Sequence, residues 1–170
     1  MYLPEIRFCE AEDLQAVLNL NAENPWPWPE AIIQYDLSPA SNQELSYIGA
    51  FSNNIENNEL LGLAVIGRER DLKRNFQIDA KTGVLMLLLV ARRCRRRGVA
   101  SQLIMAAGDC AGYLGFKTLI LRVRRSNIPA QNLYNKFNFA FPKNAVIRGY
   151  YSDGEDALIM SASLPLFLRS

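Results

Sequence analysis

Between Leu85 and Val90 the chain runs six apolar residues without a break, and positions 92–98 then hold five arginines and a glycine. An unbroken apolar run of that length predicts a strand buried on both faces. From Val99 to Leu114 the period changes, and Leu103, Ile104, Ala107 and Ala111 recur with helical spacing. Gly112 and Gly115 break that pattern, and Thr118 to Val123 reads as a second inner strand. A strand, a helix and a neighbouring strand in this order imply a right-handed crossover and a parallel pair. The Gly98 turn between the first strand and the helix is chemically loaded. Backbone N–H groups and the helix dipole converge there on an anion, and the arginine side chains surround the spot with positive charge.

That charge is local. The chain has 19 basic and 17 acidic residues, and removing the five clustered arginines leaves 14 against 17. A polyanion binder is more often basic over a broad face, so a small phosphate-bearing ligand is the better reading. There is no histidine, and Cys9, Cys94 and Cys110 lack metal-ligand spacing, which argues against structural zinc. An odd, sparse cysteine count fits a reducing compartment, with Cys9 and Cys110 as buried thiols and Cys94, among arginines, a candidate for mild activation. At 170 residues, 49% of them apolar, the chain suits one compact domain, 1–170. No leader pattern and no apolar run near ~18 residues is present, so cytoplasmic localisation without membrane contact is expected.

The remaining elements follow in order. Ile6 and Phe8 alternate in a first strand, and Ala11 to Leu20 carries Leu14, Val17 and Leu18 at helical spacing. From Asn24 to Glu30 three prolines prevent regular structure while Trp26 and Trp28 offer rigid surface, either as a packed connector or as the wall of a groove. Pro29 suits the start of a second helix through Leu37. Tyr47 to Phe51 and Leu60 to Gly67 form a hairpin around a polar turn from Ser52 to Asn58, and Glu69 to Asp79 is a charged loop. Ser126 and Asn127 are N-cap candidates for a short helix through Leu133, Tyr134 and Phe137, which places Asn127 and Tyr134 on nearly the same face. Phe139 to Ile147 and Ala157 to Leu164 read as closing strands around a polar turn, Tyr150 to Asp156.

The string Arg95, Arg96, Arg97, Gly98, Val99, Ala100 fits R/Q-x-x-G-x-G/A, between the strand and helix that pattern requires. Val123 to Asn127 and Leu133-Tyr134 follow at the right distance. The chain therefore resembles the GNAT superfamily of acetyl-CoA-dependent N-acetyltransferases. Arg148 to Met160 is similar to the closing hairpin of protein N-terminal acetyltransferases. Pro27 to Glu30 is similar to the segment before the second helix in ribosomal-protein-alanine N-acetyltransferases. The resemblance implies a single-domain α/β GNAT fold, a mixed and mostly antiparallel sheet of about seven strands with a central splayed parallel pair and about four helices. It implies acetyl-CoA as co-substrate and a protein N-terminal α-amine, ribosomal-protein-like, as acceptor.

The resemblance also assigns residues. Arg95, Arg96, Arg97, Gly98, Val99, Ala100 and Ser101 would hold the phosphates of acetyl-CoA, the backbone along Leu88, Leu89 and Val90 would pair with the pantetheine arm, and Asn127 would add a polar contact. Tyr134 would be the general acid. The ribosomal-protein enzymes keep a glutamate base on the second inner strand, and Arg122 stands at that position here. Arginine has a pKa above about 12 and cannot serve as a base. Glu30, Glu23 or a relayed water are the alternatives. Trp28, Tyr150 and Tyr151 are candidates for gripping the acceptor, and Arg122 for binding an acidic residue of it or repelling cationic ones. Asp153, Glu155 and Asp156 read either as helpers in catalysis or as turn-forming carboxylates. Two other outcomes stay open: a GNAT enzyme acting on a small amine or a lysine side chain, and a non-catalytic GNAT-fold module binding nucleic acid or protein.

Overall fold

The structure, a computed structural model, describes residues 4–42, 44–53, 59–68 and 79–169. Among them are seven strands and four helices: β1 (Glu5–Phe8), α1 (Leu14–Ala22), α2 (Glu30–Asp36), β2 (Leu45–Phe51), β3 (Leu60–Gly67), β4 (Thr82–Val90), α3 (Val99–Tyr113), β5 (Thr118–Arg124), α4 (Ile128–Lys136), β6 (Val146–Ile147) and β7 (Ala157–Ser163). The strands form one sheet in the order β1-β2-β3-β4-β5-β7-β6. As expected, β4 and β5 are the parallel pair, with Thr82 opposite Thr118 through Leu85 opposite Leu121. By contacts the chain divides into two compact units, Met1–Ile66 with Leu87–Ala107, and Gly67–Met86 with Gly108–Ser170.

In the first unit β1 pairs antiparallel with β2, Ile6 opposite Ala50. Arg7 fixes this corner. Its guanidinium donates to both carboxylate oxygens of Asp13, at 2.7 and 2.9 Å, and lies 3.6 Å from the centre of the Phe51 ring. A bidentate pair stacked on an aromatic is a geometry only arginine provides. Helix α1 buries Val17, Leu20 and Asn21 at positions that share one face. Helix α2 buries Ile33 and Asp36, and the Tyr47 hydroxyl donates to Asp36 at 2.9 Å.

In the second unit β5 and β7 pair antiparallel from Thr118 opposite Ser163 to Arg124 opposite Ala157. Leu119, Leu121, Ile159, Met160, Phe137 and Phe139 are fully buried there. Each such side chain removed from water contributes about 1.5–3 kcal/mol. Helix α4 starts where the sequence places it, because the Asn127 side chain accepts from the Ala130 N–H at 3.2 Å and Pro129 occupies the first turn.

Three expectations are corrected. The strand expected from Phe139 to Ile147 is only Val146–Ile147, with an isolated bridge between Ala140 and Ser161. Pro142 lacks an N–H for a ladder, and Asn138 and Asn144 take left-handed φ of 54° and 60°, so the segment turns. The run from Leu85 to Val90 is not buried on both faces, since Met86, Leu87, Leu88 and Val90 are half-exposed. Burial falls beyond Leu85, the last residue in register with β5. Cys94 is the buried thiol, while Cys9 and Cys110 are half-buried. The turn at 54–58 and the charged loop at 69–78 lie outside the described residues.

Candidate functional site

The candidate residues fall in both units. In the first unit β4 ends at Val90 and a tight 3-10 turn, Arg92–Cys94, buries Cys94 while turning the arginines outward. Three of the five arginines are committed to the protein. The Arg92 backbone N–H donates to a Glu23 carboxylate oxygen at 2.8 Å and its guanidinium to the Glu23 carbonyl at 3.5 Å, Arg93 pairs with Glu59 and, at 3.9 Å, with Glu23, and Arg95 Nε donates to the Val90 carbonyl at 3.2 Å. Arg96 and Arg97 are exposed, and no described acidic side chain forms an ion pair with them.

The backbone here is shaped for an anion. Arg96 has φ 61° and Gly98 φ 83°, and left-handed residues in a turn can gather nearby N–H groups into a concavity. A Cβ placed on Gly98 would meet nothing within 4 Å, so glycine is required by the backbone angle and the space above it is open. The helical ladder begins with Gln102 N–H donating to the Gly98 carbonyl at 3.2 Å, which leaves the N–H groups of Val99, Ala100 and Ser101 without intrahelical acceptors. Two outward arginines over a row of N–H donors at a helix start form a donor set that fits a diphosphate with a further phosphate nearby.

Glu23 uses its carboxylate on this turn, which sets it apart as a positioning group rather than a base. Glu30 is an exposed carboxylate in the first turn of α2. Trp28 is half-buried, and its backbone is clamped by Asn21, whose amide donates to the Trp28 carbonyl at 2.9 Å and accepts from its N–H at 3.0 Å. Asn21 was legible only as a polar residue on the apolar stripe of α1.

In the second unit Tyr134 lies buried on α4, its ring edge-on to Phe139 at 5.8 Å. Burial, with the Tyr151 phenol nearby, raises its pKa, so the phenol stays protonated through neutral pH. Asn127 is the exposed N-cap of α4 and stands just outside the helical repeat. Tyr150 and Tyr151 meet edge to face at 5.0 Å. The Arg122 guanidinium lies 5.6 Å from the Tyr150 ring and that of Arg124 lies 3.9 Å from the Tyr151 ring. Arg124 is buried and donates to Asp153 at 2.8 Å and to Glu155 at 2.7 Å. Glu155 also accepts from the Ser126 N–H at 2.8 Å, and Asp156 accepts from the Gly149 N–H at 3.0 Å. Hydrogen bonds from Ser126 and then Arg124 lower the Glu155 pKa to about 2. These carboxylates are turn-forming groups. Sequence reasoning missed Arg124 and Gln131 as organisers. The buried Gln131 amide donates to the carbonyls of Arg124 and Arg125 at 3.1 and 3.0 Å, and the signal for it was its place three residues before Tyr134 on α4.

The parallel pair, the glycine turn opening a helix and the tyrosine on the next helix are matched by the Acetyltransferase (GNAT) family over residues 12–139. The chain belongs to that family. GNAT enzymes use acetyl-CoA as acyl donor. An N-alpha-acetyltransferase of Saccharolobus solfataricus is 38% identical to this chain over 85 residues, 49% of the chain and 50% of that protein. The chain thus matches about half the length of such curated relatives. Among solved GNAT structures, the ribosomal-protein-S18-alanine N-acetyltransferase from Escherichia coli superposes with a TM-score of 0.74 at 23% identity, covering 95% of this chain and 94% of its own. Arabidopsis thaliana NAA60 in complex with acetyl-CoA gives 0.75 at 18% identity, covering 94% and 98%. These likenesses show the GNAT fold. Among the described residues no helix is long and apolar enough to cross a membrane, and no cluster of metal-ligating side chains is present.

Proposed function

We propose that this GNAT protein transfers an acetyl group from acetyl-CoA to the N-terminal α-amine of a protein by direct attack in a ternary complex, with residues 1–170 serving as one catalytic domain. The observation that carries the reading is the Gly98 turn, where left-handed backbone, open space and the outward Arg96 and Arg97 coincide at the start of α3. Acetyl-CoA, when bound, supplies a thioester carbonyl and a thiol leaving group. In this reading Arg96, Arg97 and the N–H groups from Gly98 to Ser101 hold its phosphates, and Arg95 braces the turn through Val90. The half-exposed stretch of β4 at Leu88, with Leu89 and Val90, offers backbone groups to the pantetheine amides, and Asn127 adds a side-chain amide.

Tyr134 acts as the general acid. A phenol keeps its proton at neutral pH and delivers it as negative charge builds on the departing sulfur; burial raises its pKa and makes it a weaker acid, which that developing charge has to offset. Arg122 cannot abstract a proton, so the acceptor must need little help. An α-amine with a pKa near 8 is roughly one-tenth neutral at pH 7, whereas a lysine near 10.4 is almost wholly charged. That difference supports an N-terminal acceptor, as do the names of the curated relatives. Glu30 is the exposed carboxylate that serves as base in this reading. In this reading Tyr150 and Tyr151 contact the acceptor backbone and Arg122 reads its side chains, and Trp28 is a separate candidate contact. Thiols outside disulfides suit the cytoplasm.

The test is acetylation of an N-terminal peptide library, read by mass spectrometry, with wild type, Tyr134→Phe and Glu30→Gln. Transfer to peptide α-amines that collapses in Tyr134→Phe supports the reading. No transfer to any free amine overturns it, transfer confined to small amines or lysines changes the acceptor class, and an unaffected Glu30→Gln removes Glu30 as base.

A further inference from the structure

We propose that Arg124 is a positioning residue for the acceptor segment, its guanidinium fixing Tyr150 and Tyr151 with respect to β5 and the start of α4. The proposal rests on the reading that residues 148–156 contact the acceptor.

Arg124 is the last residue of β5 and is only 7% exposed. One of its guanidinium nitrogens serves both Asp153 and Glu155, and the plane of the group stacks on Tyr151 at 3.9 Å. Asp153, Glu155 and Tyr151 belong to the segment between β6 and β7. That segment closes on itself through short-range bonds, Tyr151 N–H to the Glu155 carbonyl at 3.1 Å, Gly154 N–H to the Tyr151 carbonyl at 2.9 Å, Glu155 N–H to the Asp153 carboxylate at 3.1 Å and Gly149 N–H to the Asp156 carboxylate at 3.0 Å. Such bonds shape a turn without fixing where it stands. Arg124 supplies a buried fixed point, beside the exposed Arg125, whose N–H donates to the Asp156 carbonyl at 3.2 Å and whose guanidinium donates to the Asp156 carboxylate at 3.3 Å. Tyr151 in turn sets Tyr150 through their edge-to-face contact, and Arg122, two residues earlier on the same face of β5, stacks on Tyr150. Arginine, tyrosine, tyrosine and arginine therefore form one row.

The same cluster reaches α4. The second oxygen of Glu155 accepts from Ser126 N–H, next to the Asn127 cap, and Gln131 holds the Arg124 and Arg125 carbonyls from the other side. The backbone between β5 and α4 is clamped between Glu155 and Gln131, so the tyrosine pair and the helix carrying Tyr134 share one anchor. Stability alone is a poor reason for this arrangement. Burying a charge is costly, and well-packed apolar side chains often replace buried ion pairs without loss. Holding two carboxylates at its edge and an aromatic ring against its face needs the planar guanidinium, which lysine lacks.

The test uses Arg124→Lys and, because it is milder to the fold, Glu155→Gln. Two readouts are taken on the whole chain: hydrogen exchange of amides 149–156, and steady-state kinetics with an acceptor peptide and acetyl-CoA varied separately. Expected are exchange faster by about tenfold and an acceptor KM higher by about tenfold, with the acetyl-CoA KM within about twofold. Unchanged exchange in both variants overturns the proposal, as does a rise of both KM values together with a general loss of thermal stability. Faster exchange with an unchanged acceptor KM overturns the acceptor half and leaves Arg124 as a purely structural anchor. Where wild type acetylates no peptide the enzymatic reading itself fails, and exchange still decides whether Arg124 positions the segment.

Discussion

Two arginine-rich stretches, the turn at 92–98 and the end of β5 at 122–125, put the same side chain to opposite uses. In the turn Arg96 and Arg97 point outward over left-handed backbone, while Arg92, Arg93 and Arg95 tie the turn to Glu23, Glu59 and the Val90 carbonyl. At the end of β5 Arg124 is buried, bonded to two carboxylates and stacked on a ring. The difference lies in what surrounds the head group. Where carboxylates from a neighbouring segment are already in reach, arginine becomes scaffold. Where open space is in reach instead, it stays exposed, and the proposed function gives it an anionic ligand. Charge density along the sequence does not distinguish the two.

The largest effect expected from separating these roles is at Tyr134. Tyr134→Phe removes the proposed proton donor and keeps the ring, so kcat for acetyl transfer should fall by about 10²–10⁴-fold while the acetyl-CoA dissociation constant stays within about twofold. Calorimetric binding beside stopped-time kinetics checks both numbers. A fall in affinity as large as the fall in kcat would break the division between a binding turn and a chemical helix.

The units also differ in what titrates at high pH. In the first, burial pushes the Cys9 thiol from its ordinary 9.0 to about 12, and in the second, burial raises the Tyr134 phenol above 10. Both groups keep their protons in the folded chain at pH values where the unfolded chain has released them. Their contribution is complete below pH 9 and is lost as pH rises toward 12, by about 1.4 kcal/mol per pH unit for each group titrating only when unfolded. Denaturant melts from pH 8 to 11 should show the fall, and in Cys9→Ala its onset should move up by about one unit, to the Tyr134 range. The acid side runs the other way. Glu155, with its pKa lowered from 4.5 to about 2, supports the fold above 4.5 and stops doing so as pH falls through 2.

Much of this was legible before any coordinates. The apolar run, the glycine turn and the helical period fix the parallel unit because each is a strong local signal, and Asn127 with Pro129 fixes the start of α4. What stayed hidden depends on partners distant in sequence. Glu23 meets Arg92 across 69 residues and Glu155 meets Arg124 across 31, and no periodicity announces either pair. The half-exposure of Leu88 and Val90 was hidden for a related reason. An apolar run signals burial, but whether a neighbouring strand stays in register to provide it is a tertiary matter.

A third prediction follows from the sorting of the five arginines. Arg96→Gln and Arg97→Gln should each weaken acetyl-CoA binding by about tenfold and flatten its salt dependence, because each removes a charge-assisted contact to phosphate. Arg93→Gln should change affinity by less than about threefold and lower thermal stability slightly, since its partners are Glu23 and Glu59. Repeating the titration with dephospho-CoA sharpens the comparison. If the arginines hold the outer phosphate, the loss from Arg96→Gln or Arg97→Gln should shrink when that phosphate is absent.

The smallest expected effect concerns Arg96 and Gly98 as backbone rather than as charge. Both take left-handed φ, yet one carries a side chain and the other does not. Gly98→Ala should destabilise the chain by about 1–2 kcal/mol, from the angle alone, because a Cβ there meets nothing within 4 Å. Arg96→Gly should do the reverse, raising stability by up to about 1 kcal/mol through relief of the same strain, while weakening acetyl-CoA binding through loss of the guanidinium. Stability and affinity would then move in opposite directions at one residue. Thermal melts paired with calorimetric titration measure both. If Arg96→Gly loses stability, the left-handed turn is held by the arginine side chain itself, and the turn would belong with Arg124 among the scaffolding arginines.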